Sequence, residues 1–260
     1  MSTDVQTLLA QAATSGIVSE ATSGVLGGYM GPVVIAGASG TNPDDIMATE
    51  VTLITVLIDR SGSIRSGGLE KPVRDGFNSL IDALAGSKEN DSILVATWLF
   101  DDKESVLHSF TPVKDAVRLD TKNYSGRGMT ALYETWMKAI TSHVAYATTL
   151  RNSGTPVRNV VVVVTDGFDT SSMKANEAVC SKTNTDLLRS ETFVLAFVGV
   201  GEEGDFRTIA RKMGIPDNCI LVQQSTTPSD VRKTFELVSK SALRVSQGTI
   251  QPGQGAGFFT

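Results

Sequence analysis

Cysteine is almost missing from this 260-residue chain, which has only Cys180 and Cys219. The two show neither metal-ligand spacing nor a disulfide framework, so reduced, structural thiols in a cytoplasmic protein are expected. Histidine is as scarce. His108 and His143 fit no Ser/His/Asp order, and capped or solvent-facing roles are expected for them. Basic residues do not dominate either: 23 Lys and Arg against 28 Asp and Glu leave a net charge of −5. Without a Lys/Arg stripe, nucleic acid is not an expected partner. Long apolar runs are also lacking. Residues 17–38 are broken by Glu20, Pro32 and several glycines, and no basic residue precedes an apolar run near Met1. Neither a membrane span nor a secretory signal is expected. No Gly-x-x-x-x-Gly-Lys-Ser/Thr loop and no Gly-x-Ser-x-Gly elbow occurs, which argues against unaided nucleotide hydrolysis and against a serine hydrolase.

What is present is a regular alternation. An apolar fraction of 41% and a charged fraction of 20% suit one sizeable globular core. Strands are expected at Val51–Ile58, Ser92–Phe100, Ser105–Phe110, Val157–Thr165, Thr192–Val200 and Asn218–Val222. Helices are expected at Glu70–Ala85, Thr130–Leu150, Asn176–Arg189, Asp205–Met213 and Ser229–Val245. Strands alternating with helices specify an α/β fold: a doubly wound, mostly parallel sheet with one antiparallel edge strand and helices on both faces. Trp98, Trp136, Phe100 and Phe110 fall at core positions. The main domain is assigned to 48–246. Residues 1–47 form a low-charge arm, with Asp4 and Glu20 the only charges before position 44. Val5–Ala13 reads as a helix and Val33–Ala36 as a short strand. Packing on the domain, docking to a partner and poor order compete as readings of the arm. The Gly/Gln-rich stretch 247–260 reads as a flexible tail.

In open α/β sheets ligands bind beyond the carboxyl ends of the strands, where strand order reverses. Three polar loops fall there. Asp59-x-Ser61-x-Ser63 follows the first strand, Gly126-Arg-Gly-Met-Thr130-Ala-Leu132 precedes the long helix, and Thr165-Asp166-Gly167 ends the most valine-rich strand. Carboxylates and hydroxyls so placed are hard oxygen ligands of the kind Mg2+ or Mn2+ prefers. Each loop alone is also an ordinary polar turn. Gly199–Gly204 matches Gly-x-Gly-x-x-Gly, but it comes late and no acid ends a strand about 20 residues on, so it reads as a turn. A haloacid-dehalogenase-type phosphotransferase would need a second Asp where Ser61 stands.

Taken together, the three loops resemble the metal-ion-dependent adhesion site of von Willebrand factor type A domains, over about Val51 to Val245. Met129 departs from the Gly-Gly-Thr that many members carry before the helix. The resemblance implies a metal site of Asp59, Ser61, Ser63, Thr130 and Asp166, holding Mg2+ or in its place Mn2+ or Ca2+. It implies a protein partner supplying a Glu or Asp to the metal, with no catalytic residue. A MoxR-type ATPase, or a stress or defence complex of intracellular bacterial type, is the context it suggests. Arg60, Arg65 and Arg127 surround the site, either as solvated loop charges or as attractors of an acidic partner. Asp169 is read as an outer acceptor or as the cap of the helix that follows it. The rival functions are a metal-dependent hydrolase or phosphotransferase, and an assembly protein in which the metal only steadies loops.

Overall fold

Nine consecutive buried residues, Val51–Asp59, form strand β1, the centre of the sheet. A strand covered on both faces needs no polar alternation, which is why ITVLI reads as an unbroken apolar run. The computed structural model describes residues 4–201, 205–250 and 258–259. Around β1 lie β2 (Ile93–Phe100), β3 (Glu104–Pro112), β4 (Val157–Thr165), β5 (Phe193–Val200) and β6 (Ile220–Gln223), in the order β3-β2-β1-β4-β5-β6. Only β2 and β3 run antiparallel, and β3 is one of the two edge strands, β6 being the other. The chain moves from β1 outward to β2 and β3, then returns to pair β4 with the other side of β1. The reversal of strand order therefore falls between β1 and β4.

In chain order the helices are α1 (Val5–Thr14), α2 (Glu20–Gly27), α3 (Pro32–Gly37), α4 (Gly62–Ser66), α5 (Glu70–Ala85), α6 (Leu132–Asn152), α7 (Glu177–Arg189), α8 (Phe206–Lys212) and α9 (Pro228–Ser246). The helices cover the sheet in packed pairs, α5 on α9 and α6 on α7. Among the described residues no helix is long and apolar enough to cross a membrane.

The arm is folded onto α6. Val5, Leu8, Leu9 and Ala12 of α1 are buried, and Ser142 of α6 donates to the Val34 carbonyl at 2.9 Å. Residues Val33–Ala36 are helical, not a strand. A four-residue apolar run is ambiguous between the two states, and Pro32 at the first helical position, with φ already set for a helix, decides it. The helix also brings Gly37 against Trp98, where a Cβ would lie 2.2 Å from the ring. At the other end, residues 251–257 and 260 of the proposed flexible tail lie outside the described residues. Ile250 and Phe258 are buried, and Arg244 donates to the Phe258 carbonyl at 2.8 Å. Cys180 and Cys219 are buried and free, and Trp98 and Trp136 are core residues.

His143 corrects the expectation of a capped or solvent-facing side chain. It is fully buried, edge-on to Phe110 with ring centroids 5.4 Å apart. Asn159 gives its amide N–H to the Thr192 carbonyl, so its Oδ1 accepts from His143 Nε2 at 3.1 Å. Nδ1 then accepts from the Thr55 hydroxyl at 2.8 Å. The ring is thus held neutral, its pKa pushed down to about 4 by burial. Because the folded state resists protonation, this group's contribution to stability falls as pH drops from about 6.5 towards 4, by roughly 3 kcal/mol. Asp59, pushed up to about 6 by burial, acts with opposite sign over the same window. The measurement is therefore a comparison of metal-free urea unfolding at pH 7 and pH 4.5. The wild type is expected to lose about 2–3 kcal/mol relative to His143→Gln between the two.

Candidate metal centre

The loop after β1 is built around its own first residue. Asp59 Oδ1 accepts from the Ser61 amide at 2.7 Å, a turn that swings Ser61 and Ser63 back over the strand end. Asp59 Oδ2 accepts from the Thr165 hydroxyl at 2.5 Å, across from the neighbouring strand β4. Ser61 Oγ and Ser63 Oγ are 2.9 Å apart, and Ser63 Oγ donates to Asp166 Oδ1 at 2.8 Å. Thr130 joins them through Gly167: a Cβ placed on that glycine would lie 3.6 Å from both Ser63 Oγ and Thr130 Oγ1. All five residues expected from the sequence therefore meet at the carboxyl ends of β1 and β4. Asp59, Ser61, Thr130 and Asp166 are buried and Ser63 is half-buried.

Thr130 stands just outside the helix it was expected to begin. Residue 131 has φ −100° and ψ 60°, so α6 starts at Leu132. The backbone of Thr130 is occupied by the loop after β4: its amide donates to Thr170 Oγ1 at 3.0 Å, and its carbonyl accepts from the Thr170 and Ser171 amides. That leaves the hydroxyl to face the serines. Asp169 is not the cap of the helix that follows it. It accepts from the Tyr133 amide in the first turn of α6 at 3.2 Å, while α7 is capped by Asn176.

Of the three arginines, Arg65 and Arg127 are exposed on their loops as expected, and Arg60 is not. Arg60 is buried, and its Nε donates to Asp101 Oδ2 at 2.8 Å; Arg127 Nε reaches the same oxygen at 3.0 Å. One carboxylate at the end of β2 thus fastens two site loops together, and neither guanidinium is a loose loop charge. Arg65 lies 3.5 Å from Glu70, which also accepts from the Gly126 amide. Tyr124 adds a further tie, donating from its hydroxyl to the Asp59 carbonyl at 2.6 Å. Asp101, Tyr124 and Thr165 escape a sequence reading because ring, carboxylate and hydroxyl here act as braces. The one available signal was the position of Asp101 immediately after a strand.

The donor set suits a hard divalent cation. Among the described residues no three His, Cys, Asp or Glu side chains cluster, so any ion here would be held mainly by hydroxyls with two carboxylates, Asp59 and Asp166. Asp59 is 1% exposed and has no cationic side chain among its partners. Burial raises its pKa to about 6 against the lowering effect of hydrogen bonds from Thr165 and Ser61. A buried carboxylate held at that value favours either a proton or a cation. A cavity of about 270 Å³ opens beside the site, lined by Ser63, Leu69, Asp166, Val200, Gly201 and Thr226 among others.

A family model, the von Willebrand factor type A domain, matches residues 54–236. The chain belongs to that family. No curated protein matches it. Among solved structures, the type A domain is similar to the PilB minor pilin from Streptococcus sanguinis (12% identity, TM-score 0.51, covering 79% of this chain and 63% of that one). It is similar also to the pilus adhesin SpaC from Lactobacillus rhamnosus GG in its open conformation (12%, 0.53, 75% and 30%). A third is a von Willebrand factor type A protein from Catenulispora acidiphila (15%, 0.50, 75% and 43%). At these identities the likeness is one of fold. The chain spans less than two thirds of the length of each. The Gly199–Gly204 stretch, expected to be a turn, begins inside β5. Residues 202–204 lie outside the described ones, and Gly199 packs on Phe206, where a Cβ would lie 2.4 Å from the ring.

Proposed function

We propose that this type A domain is a Mg2+-dependent protein-binding module, in which a Glu or Asp of a partner completes the coordination of a cation held by Asp59, Ser61, Ser63, Thr130 and Asp166. The observation that carries the reading is the hydrogen-bonded run of oxygens Ser61–Ser63–Asp166 at the sheet's switch point, with Thr130 beside it. The near-octahedral preference of Mg2+ and its hold on water favour a site of few carboxylates and several neutral oxygens. When bound, the cation would supply a fixed positive centre with a replaceable position. Ser61, Ser63 and Thr130 orient it without cancelling its charge. Asp59, braced by Thr165 and the Ser61 amide, holds charge behind it.

Binding is favoured over catalysis because neither histidine stands beside the site as a general base. His143 is walled into the core and His108 lies on the edge strand β3. A compartment inside the cell fits the two unpaired thiols. The partner's identity is open chemistry, an acidic loop on a protein, with an ATPase-containing assembly the context proposed from the resemblance. A pull-down with the full chain, run with Mg2+ and with EDTA, tests the proposal. The same proteins should be retained in Mg2+, lost in EDTA, recovered when Mg2+ is restored, and lost with Thr130→Ala under all conditions. Retention that ignores EDTA and Thr130→Ala would overturn it.

A further inference from the structure

The surface around the site is apolar where a purely electrostatic socket would be charged. Of the seven large hydrophobic side chains exposed among the described residues, three lie on the two loops that carry Thr130 and Asp166: Met129 at 56%, Phe168 at 43% and Met173 at 92% exposure. Met129 directly precedes Thr130, and Phe168 follows Asp166 by two residues. None is left out for want of anchoring. Phe168 stacks on the buried Phe206 with ring centroids 6.1 Å apart. The backbone of Met173 is tied to Glu134 of α6 at 3.0 Å. Gly128, with φ +67° and no room for a Cβ beside Asp102, fixes the turn that lifts Met129 outward. A single exposed apolar side chain is ordinary, whereas several on the very loops that carry a site make that face a candidate interaction surface.

Charge at the rim is mixed: the exposed carboxylate of Asp102 stands beside Gly128, and Arg65, at 61% exposure, faces Glu70. Arg60 and Arg127 share the single carboxylate of Asp101, leaving one net positive charge, and Arg127 is the member exposed to solvent, at 63%. A partner rich in acids would meet, beyond the metal, only the already paired Arg127 and Arg65, and would face the carboxylate of Asp102. A partner bearing one carboxylate among large apolar side chains would match both features. The cavity beside Ser63 and Asp166, walled by Leu69 and Val200, offers a seat for one such flanking side chain.

Resting on the metal-dependent reading above, we propose that the site selects a protein loop in which a single Glu or Asp is flanked by large aliphatic or aromatic residues. Met129, Phe168 and Met173 grip the flanks. They determine which acidic loop is bound, while the metal determines that an acid is required.

The test uses the full chain with 13C-methyl-labelled methionine and three cyclic peptides: a glutamate flanked by leucines, a glutamate flanked by serines, and a glutamine flanked by leucines. In Mg2+, the leucine-flanked glutamate should bind about tenfold or more tightly than the serine-flanked one, since burying a leucine side chain contributes a factor of at least that size. It should also shift the Met129 and Met173 methyl signals. Met129→Ser combined with Phe168→Ser should erase the preference while leaving Mg2+ uptake and binding of the serine-flanked peptide intact. Equal, Mg2+-dependent binding of both glutamate peptides would overturn the apolar selection and leave the metal-dependent function standing. Equal binding of the glutamine peptide, or binding unchanged in EDTA, would overturn both. So would failure of all three peptides to bind at millimolar concentration.

Discussion

Thr130→Ala should reduce Mg2+ affinity by about 10- to 100-fold in calorimetric titration, the range seen when a group ordering a metal site is removed, with stability changed by no more than about 1 kcal/mol. The backbone of Thr130 carries the loop through Thr170 and Ser171, and alanine keeps those bonds. Asp59→Asn should lose at least as much affinity because it removes charge from the centre. Its effect on the metal-free protein should run the other way. Burial pushes the Asp59 pKa up to about 6, so above that pH the ionised carboxylate costs folding free energy, and the cost is relieved as pH falls. At pH 7 in EDTA the amide should therefore stabilise the fold by about 1–3 kcal/mol, while its Oδ1 still accepts from the Ser61 amide. A protein in which Asp59→Asn bound Mg2+ normally, or was destabilised in EDTA, would contradict this account of the site.

The largest loss of stability is expected from Asp101→Ala. Its carboxylate is 3% exposed and holds Arg60, itself 11% exposed, together with Arg127. Removing it strands a buried guanidinium, which costs about 3–5 kcal/mol when one partner of a buried pair is deleted. It also frees the Lys103 amide, bonded to Asp101 Oδ1 at 2.9 Å. Burial alone would raise the Asp101 pKa. Hydrogen bonds from Arg127 and Lys103, with the positive charge of both arginines, outweigh it and hold the carboxyl below its usual value. The stabilisation is thus present above about pH 4 and lost as pH falls through that lowered value. Urea unfolding at pH 7 should show the loss, and Mg2+ affinity should fall with it, because Arg60 and Arg127 stand on two different site loops. A change below about 1 kcal/mol would show the ion pairs to be ornamental.

How much of this was readable beforehand depended on whether function and local pattern shared a cause. The strands were legible because Val157–Thr165 and its neighbours are buried on both faces and carry that in their composition. The five site residues were legible because each follows a strand or precedes a helix, so chain order alone placed them at one sheet edge. The braces were not. Asp101 follows its strand directly, but nothing local says that it clamps two arginines, and nothing distinguishes Thr165 from any β-branched strand residue, since their roles arise from side chains 41 and 106 positions away. His143 was misread because a histidine in a long helix gives no sign of Thr55 and Asn159 waiting on the sheet. Val33–Ala36 was misread because four apolar residues suit either state until Pro32 and the close approach of Gly37 to Trp98 are considered.

That approach at Gly37 has a practical corollary for anyone trimming the polypeptide. With Gly40 set so close to Tyr146 that a Cβ would lie 2.4 Å from its ring, residues 4–40 act as a lid over tryptophan and tyrosine that the sheet and its long helix would otherwise present to water. A fragment cut to the family limits of 54–236 would bare that aromatic seam, and stickiness of such a fragment would reflect the missing cover and not the metal-dependent binding proposed for the loops around Asp59.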